Sequence, residues 1–191
     1  MKGQRIRYQL AEEFHFLTFS CYRRRGYLSA AAAMELFEDA LERVRRRSLF
    51  VVAGSVVMPE HAHLLVSEPR LALLFRVVQA LKLPVTMRSR ERPFWQAHYY
   101  DFHVSTHDQF VEKLRYIHRN PVRRGLVAKP EDWPWSSFRR YQTGMHGSVE
   151  IESEWTARER GWQLPEWMGE RGDRSATSPV PKSEGPVAPS N

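Results

Sequence analysis

The pattern of apolar and polar positions predicts alternating strands and helices along most of the chain. Residues 13–21 alternate between apolar and polar side chains, and residues 49–58 are rich in β-branched ones, so both are predicted to be strands. Residues 30–47 are predicted to form an amphipathic helix. The apolar positions that recur there at helical spacing are Met34, Phe37, Leu41 and Val44.

The middle of the chain continues the alternation. Pro59 and Glu60 form a turn signal, after which residues 61–67 are predicted to be a strand. Residues 71–90 are predicted to be a helix that Pro84 kinks or splits, because proline lacks the backbone N–H that a helix uses. Residues 94–104 are predicted to be the fourth strand.

A further helix is expected at residues 108–120, with Thr106 as its N-cap. Pro121 restrains Asn120 before it, so the helix is expected to end near there. Residues 133–141 are aromatic and basic and are predicted to form a short helix. The order strand-helix-strand-strand-helix-strand-helix predicts an α+β fold, a ferredoxin-like antiparallel sheet with helices on one face.

Length and composition predict one domain with an appendage. The chain has 191 residues, of which 1–145 are expected to form the domain and 146–174 an acidic C-terminal extension. Residues 175–191 are rich in proline and serine and are predicted to be a disordered tail.

Several protein classes are excluded by the same composition. No apolar stretch approaches the roughly 20 residues that a membrane span needs, and no apolar segment follows the basic first ten residues as in a secretory signal. Cys21 is the single cysteine, which rules out an internal disulfide and a cysteine-based zinc finger. We therefore expect a cytoplasmic protein with no membrane partner.

The charge favours a polyanionic partner. The net charge is +7, and arginine accounts for 24 of the 29 basic residues. Residues 113–140 hold eight basic and two acidic residues, a net charge of +6, whereas residues 150–170 hold six glutamates and two arginines. Arginine forks match phosphate oxygens, which suits nucleic-acid backbones. An arginine bias can also reflect genome composition alone.

His61 and His63 are a candidate metal-binding pair. On a strand, alternate side chains share a face and lie about 6.6 Å apart along the chain, so two imidazoles can converge on one ion. The pattern is weak by itself, because a chance His-x-His is common in a chain with eight histidines.

Tyr116 and Asn120 are four residues apart on the predicted helix 108–120 and share one of its faces. That face differs from the apolar stripe, which consists of Phe110, Val111, Leu114 and Ile117. Two interpretations stay open for Tyr116: a functional residue, or an ordinary amphipathic tyrosine at the edge of the core. His118 lies near the apolar stripe and is predicted to be a packed or supporting residue rather than a ligand.

Four segments of the chain together resemble a known family. They are VMPEHAHLL at residues 57–65, FWQAHYYD at 94–101, YIHRNPVRRGLV at 116–127 and WPWSS at 133–137. In this order they resemble the REP-associated tyrosine transposases, which are single-tyrosine transposases of the His-hydrophobe-His endonuclease superfamily. The resemblance covers about residues 10–142.

The resemblance implies a site and a reaction. It implies that His61, His63 and Asn120 bind a divalent metal and that Tyr116 is the nucleophile. Two imidazoles and an amide oxygen suit Mg²⁺ or Mn²⁺ more than a closed zinc site. The reaction would give a covalent 5′-phosphotyrosine intermediate and a free 3′-OH. Ala62 departs from the bulkier hydrophobe that the family usually has between the histidines.

The implied substrate is single-stranded DNA beside a hairpin of the REP type. Arg115, Arg119, Arg123, Arg124, Arg139 and Arg140 are expected to follow its backbone. Lys113 and Asp101 are candidates for a supporting role, against a solvated lysine and a structural hydrogen bond. The aromatic residues Trp133, Trp135 and Phe138 either stack on bases or, as we favour, close the fold as an apolar cluster.

Two other functions remain as alternatives. One is a catalytically silent single-stranded nucleic-acid-binding protein derived from such a transposase. The other is a metal-dependent hydrolase that uses water, with Tyr116 incidental. The oligomeric state stays open between monomer and homodimer, since insertion-sequence relatives share active sites between two subunits.

Overall fold

Four strands form one antiparallel sheet in the computed structural model of the protein, which describes residues 13–153 and Thr156. The strands are β1 (Phe14–Ser20), β2 (Val52–Val57), β3 (His61–Ser67) and β4 (Tyr100–Val104). Their order across the sheet is β2-β3-β1-β4, so β1 and β3 occupy the centre. Each neighbouring pair is antiparallel.

Helices connect and cover the strands. Helix α1 (Ala31–Ser48) joins β1 to β2, and α2 (Leu74–Arg88) joins β3 to β4. Helix α3 (His107–Arg123) follows β4, and the short α4 (Phe138–Thr143) comes last. This element order and sheet order confirm the predicted ferredoxin-like α+β fold.

The helices lie on both faces of the sheet. Helices α1 and α2 pack together on one face, where the Phe37 ring of α1 is 5.8 Å from that of Phe19. Helix α3 covers the opposite face, where Phe110 meets Phe14 edge to face at 5.2 Å. The helices were predicted on one face of the sheet: α1 and α2 share a face, whereas α3 packs its apolar stripe against the other. Strands β2 and β3 are therefore buried along their whole length.

The predicted strand 94–104 is shorter than expected, because only Tyr100–Val104 joins the sheet. Trp95 makes a single bridge to Cys21, beyond the end of β1. The apolar character of this segment comes from packing instead: Trp95 contacts Phe19 and Phe37 on the face that α1 covers. Phe94 and Trp95 are buried without joining the sheet, so their apolar side chains resemble those of a strand in the sequence.

Helix α3 ends slightly later than the position near Pro121 where the sequence predicts its end. Helix α3 continues through Pro121 to Arg123, because a proline in the last turn removes only one backbone hydrogen bond. The chain leaves the helix at Gly125, whose φ of 69° lies in the left-handed region that glycine adopts without strain. Helix α2 likewise runs unbroken through Pro84.

The start of the acidic extension is part of the domain. Val149 and Ile151 are buried, and Ile151 forms a parallel bridge to Val52 of β2. Ser136 bridges Val56 along the same strand, so two segments cover the edge of the sheet. Apart from Thr156, the rest of the extension and the predicted disordered tail 175–191 lie outside the described residues. Within residues 13–153, no helix is long and apolar enough to cross a membrane.

Helix α3 packs closely against the sheet at Gly54 of β2. A Cβ atom at this position would lie 2.8 Å from Leu114 Cδ1 and 3.3 Å from Ile117 Cδ1. We therefore expect Gly54→Ala to lower the free energy of unfolding by about 1–3 kcal/mol, the usual cost of overpacking. Urea denaturation would measure this loss.

Gly147→Ala is the matched control, since nothing lies within 4 Å of a Cβ at Gly147. In a Leu114→Ala background, Gly54→Ala should cost little further stability, because the clashing atom is gone. A Gly54→Ala protein as stable as the wild type would contradict the close approach.

Candidate active site

His61 and His63 project from one face of β3, as the strand prediction requires. Their rings lie 4.5 Å apart between centroids, and both side chains are buried. The register of the sheet places Ser20 opposite His61 and Thr18 opposite His63. The pair therefore lies on the face of the sheet that α3 covers.

Hydrogen-bonding groups surround both imidazoles. Thr18 Oγ1 is 2.8 Å from His63 Nδ1, and Asn120 Nδ2 is 3.1 Å from His63 Nε2. Glu60 Oε1 lies 3.3 Å from His61 Nδ1. A carboxylate or hydroxyl on one ring nitrogen holds the ring in place and directs the other nitrogen toward a ligand. Thr18 thus holds the His63 ring from behind, whereas His61 Nδ1 has only the ionic contact with Glu60.

Helix α3 brings Tyr116 and Asn120 to the histidines. Its predicted N-cap is confirmed, because Thr106 Oγ1 accepts a hydrogen bond from Gln109 N at 3.2 Å. The Tyr116 ring meets the His63 ring at 5.1 Å and is 37% exposed, whereas Asn120 is buried. The two positions that share a helix face in the sequence therefore meet the histidine pair in the fold.

His118 fixes α3 from its other side, as the prediction of a packed residue implies. Its Nε2 lies 2.9 Å from Ser137 Oγ, and Ser137 Oγ also accepts a hydrogen bond from Ser55 N of β2. Complete burial lowers the pKa of His118 to about 3, so the ring is neutral. This contact links the helix to the segment that covers the edge of β2.

Burial also controls the charge of the histidine pair. It lowers the pKa of His63 well below its usual range, and electrostatic interaction with His61 and Arg24 lowers it further. Burial lowers the pKa of His61 too, with Glu60 acting in the opposite direction and Arg24 and Arg124 reinforcing it. Both imidazoles are therefore neutral at neutral pH, which is the form that binds a metal ion.

These residues fit a divalent metal only when Asn120 is included. The described part of the chain holds no group of three His, Cys, Asp or Glu side chains suited to a metal. The Asn120 amide is the remaining candidate ligand: its Oδ1 is buried without a hydrogen-bond partner, its Nδ2 faces His63 Nε2, and exchanging the two amide positions turns the oxygen toward His63. Two imidazoles and one amide oxygen make the mixed nitrogen and oxygen set that Mg²⁺ or Mn²⁺ tolerates.

The six predicted DNA-binding arginines separate into two groups. Arg115, Arg119 and Arg123 form an exposed row along α3, and the Arg123 guanidinium lies 5.7 Å over the Tyr116 ring. Arg124 also lies at the site, but it is paired with Glu60.

Arg139 and Arg140 lie elsewhere, beside a cavity of about 450 Å³ between α4 and the start of the acidic extension. Arg139 donates to the Glu131 carbonyl and Arg140 to the Gly144 carbonyl. These two arginines therefore hold the backbone around α4.

Neither of the two supporting candidates, Asp101 and Lys113, contacts His61 or His63 within the described residues. Asp101 is paired with Leu17 across the sheet, on the face opposite His63, and its carboxylate lies 2.8 Å from His15 Nδ1. Lys113 forms an ion pair with Glu112 at 3.0 Å, and its ammonium group lies 4.6 Å over Phe102. Of the two interpretations of Asp101, the structure therefore agrees with the structural hydrogen bond, which here is made to His15.

The aromatic residues after α3 pack into the fold. Trp133 and Phe138 are buried, and Trp133 Nε1 donates to the Val57 carbonyl at 2.9 Å. The exposed aromatic side chain beside the site is instead Tyr100 of β4, which is 55% exposed and 6.4 Å from Phe16. Its strand position opposite Thr18, on the histidine face, is the signal that could have identified it.

Known proteins resemble this chain in sequence and in fold, although no family model matches it. It is 27% identical over 135 residues to a REP-associated tyrosine transposase of Escherichia coli (strain K12), a match that covers 70% of this chain and 81% of that protein. It is 28% identical over 120 residues to a protein of Haemophilus influenzae whose name assigns it provisionally to the same transposases, covering 54% and 68% of the two chains.

The fold has a counterpart among solved structures. A REP-associated tyrosine transposase bound to a REP hairpin superposes with a TM-score of 0.62 and 24% identity, over 80% of this chain and 93% of that one. Its fold and the two sequence relatives agree with the four motifs. They confirm the resemblance of this chain to the REP-associated tyrosine transposases.

Proposed function

We propose that this protein is a metal-dependent single-stranded DNA endonuclease and strand transferase, a transposase that cleaves near REP-like hairpins through a covalent 5′-phosphotyrosine. The observation that carries the proposal is the meeting of Tyr116 with His63, whose rings are 5.1 Å apart. Ordinary core packing does not explain why buried neutral histidines and a buried amide lie beside an exposed tyrosine. The names of the relatives in Escherichia coli and Haemophilus influenzae support the same reaction class.

His61, His63 and Asn120 would hold the Mg²⁺ or Mn²⁺ ion. When bound, such an ion supplies Lewis-acid polarisation of the scissile phosphate. Thr18 and Glu60 keep the two imidazoles oriented, and burial keeps them neutral. The partnerless Asn120 Oδ1 supports this role, because a buried oxygen without a partner costs free energy unless something binds it.

Tyr116 then acts as the nucleophile. Its hydroxyl oxygen attacks phosphorus, the tyrosine–phosphorus bond forms and the bond to the 3′ oxygen breaks. The phenol proton passes overall to that oxygen, which leaves as a free 3′-OH. The guanidinium of Arg123 lies 5.7 Å over the Tyr116 ring in a cation–π contact, which places a cation beside the attacking residue. Attack by a 3′-OH on the phosphotyrosine reverses the step and rejoins DNA without ATP.

The DNA strand would follow the exposed row of Arg115, Arg119 and Arg123, which leads along α3 to Tyr116. Tyr100 presents an exposed ring on the same face of the sheet, where an unpaired base can stack. A hairpin substrate is supported by the REP hairpin in the structure of similar fold. The alternative of a catalytically silent nucleic-acid-binding protein would use the same surface.

The first prediction concerns the covalent intermediate. Incubated with Mg²⁺ or Mn²⁺ and a labelled single-stranded oligonucleotide containing a hairpin, the protein should form an adduct that survives a denaturing gel. Tyr116→Phe removes the attacking oxygen and should abolish the adduct. Tyr100→Phe is the matched control and should retain it.

Two outcomes would favour the alternatives. Cleavage that gives no adduct and survives Tyr116→Phe would indicate a hydrolase that uses water. Hairpin binding without cleavage of any suitable oligonucleotide would indicate a silent binding protein.

The second prediction concerns the metal. His63→Ala or Asn120→Ala should weaken Mn²⁺ binding by about tenfold or more, measured by calorimetry on the protein without DNA. Hairpin binding should largely remain, because the arginine row is unchanged. His103→Ala replaces an exposed histidine of β4 and serves as the control. Equal Mn²⁺ affinity in all these variants would show that the metal assignment is wrong.

The third prediction concerns base stacking. Tyr100→Ala should weaken binding of the single-stranded flank by about 1–3 kcal/mol, the usual contribution of one stacked base. Tyr100→Phe keeps the ring and should bind like the wild type. Fluorescence anisotropy on an uncleavable Tyr116→Phe background would measure both. Wild-type affinity in Tyr100→Ala would argue against a base at this position.

A further inference from the structure

An ion pair joins the end of α3 to the turn that precedes β3. Arg124 Nη2 donates to Glu60 Oε1, although the two residues are 64 positions apart in the chain. Arg124 is also the C-cap residue of α3, and its backbone N–H donates to the Asn120 carbonyl at 3.0 Å. Arg124 is therefore held both through its backbone and through its side chain.

The carboxylate oxygen that accepts from Arg124 also faces the histidine pair. Glu60 Oε1 lies 3.3 Å from His61 Nδ1, a buried nitrogen that makes no hydrogen bond of its own. A single oxygen thus lies between the guanidinium and the imidazole. A displacement of the Arg124 side chain would therefore also displace the carboxylate that faces His61.

Stability alone does not explain this ion pair. The Glu60 side chain is 12% exposed, whereas that of Arg124 is 51% exposed. A carboxylate withdrawn from water is unfavourable unless it is paired, and a buried pair adds little stability over apolar residues of the same size. The pair instead forms a chain of contacts that leads from the surface inward to a candidate metal ligand.

A carboxylate at one imidazole nitrogen affects what the other nitrogen can bind. It holds the ring in one orientation and directs the free nitrogen toward a metal ion. At His61 the carboxylate faces Nδ1, which leaves Nε2 for an ion. At His63 the corresponding position at Nδ1 is taken by Thr18 Oγ1. The orientation of His61 thus depends on where Glu60 is held.

We infer that Arg124 is a positioning residue for the candidate metal site, because it holds Glu60 where the carboxylate orients His61. The inference rests on the proposed function, in which His61 and Asn120 bind Mg²⁺ or Mn²⁺. Through its backbone hydrogen bond the same residue is joined to Asn120, so it links two of the three candidate ligands. The sequence predicts Arg124 as a DNA-binding residue, whereas this role is exerted on the protein's own carboxylate.

The test measures Mn²⁺ binding by calorimetry on the full-length protein without DNA. Arg124→Ala should weaken Mn²⁺ binding by about tenfold to a hundredfold, the usual effect of losing the partner that orients a ligand. Simple removal of a nearby positive charge would act in the opposite direction and strengthen cation binding. Arg124→Ala combined with Glu60→Ala should bind Mn²⁺ no more weakly than Glu60→Ala alone, because Arg124 acts through Glu60.

Arg123→Ala is the matched control. It removes the same charge from the adjacent residue, whose guanidinium lies over the Tyr116 ring. Its Mn²⁺ affinity should equal or exceed that of the wild type. If the wild type binds Mn²⁺, undiminished affinity in Arg124→Ala, an equal loss in Arg123→Ala or a further loss in the double variant would overturn the inference alone. A wild type that binds no Mn²⁺ would overturn the metal assignment and the inference together.

A second measurement on the metal-free protein separates positioning from stability. Nitrogen NMR of the imidazoles distinguishes a ring protonated at Nδ1 from one protonated at Nε2. The carboxylate beside Nδ1 should keep the proton of wild-type His61 on that nitrogen, and Arg124→Ala should shift it toward Nε2. The ring of His63, which has Thr18 as its partner, should be unchanged. A His61 spectrum that Arg124→Ala leaves unchanged, even with a lower Tm, would show a merely structural ion pair and overturn the inference.

Discussion

The contact of α3 with the sheet at Gly54 is the constraint on which the candidate site depends. Leu114 and Ile117 reach positions where a Cβ atom would clash, so the helix lies closer to β2 than a larger residue would permit. The His118–Ser137 contact holds the same helix from another direction. Tyr116 and Asn120 are therefore delivered to the histidines by a rigid element, and a small displacement would separate groups that must act together.

Desolvation is the second constraint, and it affects both the imidazoles and the amide of the candidate site. Burying His61, His63 and Asn120 favours uncharged imidazoles and leaves an amide oxygen without a partner, both of which suit a cation. The surrounding rim is rich in arginine, which suits an anion. A buried neutral pocket with a cationic rim thus separates the proposed metal-binding groups from the arginines proposed to bind DNA.

The two faces of the sheet differ in composition. One face carries an ordinary aromatic core with α1 and α2, in which Phe19 and Phe37 meet. The other face combines core packing with polar side chains, since Phe14 and Phe110 pack together while Phe16 lies beside His63 and Tyr116. The core and the candidate site therefore share β1 and β3, whose alternating side chains face both sides of the sheet.

Several elements of the fold and of the candidate site were predictable from local patterns in the sequence. The β3 boundaries, the Thr106 cap and the shared face of Tyr116 and Asn120 follow from periods of two and 3.6 residues and from capping chemistry. The strand predicted at residues 94–104 is shorter, Tyr100–Val104, because an apolar segment can pack without pairing, and α3 extends past Pro121 to Arg123, because a proline can occupy a last turn.

Long-range geometry was decided only by the tertiary structure. Contacts between residues far apart in the chain decide which face of the sheet α3 covers. They also decide which arginine lies over Tyr116 and which carboxylate pairs with Arg124. The left-handed turn at Arg23 and Arg24 carries no composition signal, since turn chemistry would have favoured asparagine and glycine. The sequence by itself determined the elements and the chemical groups, whose periodicity and type are local. The fold decided their distances, because packing and desolvation act between elements rather than along them.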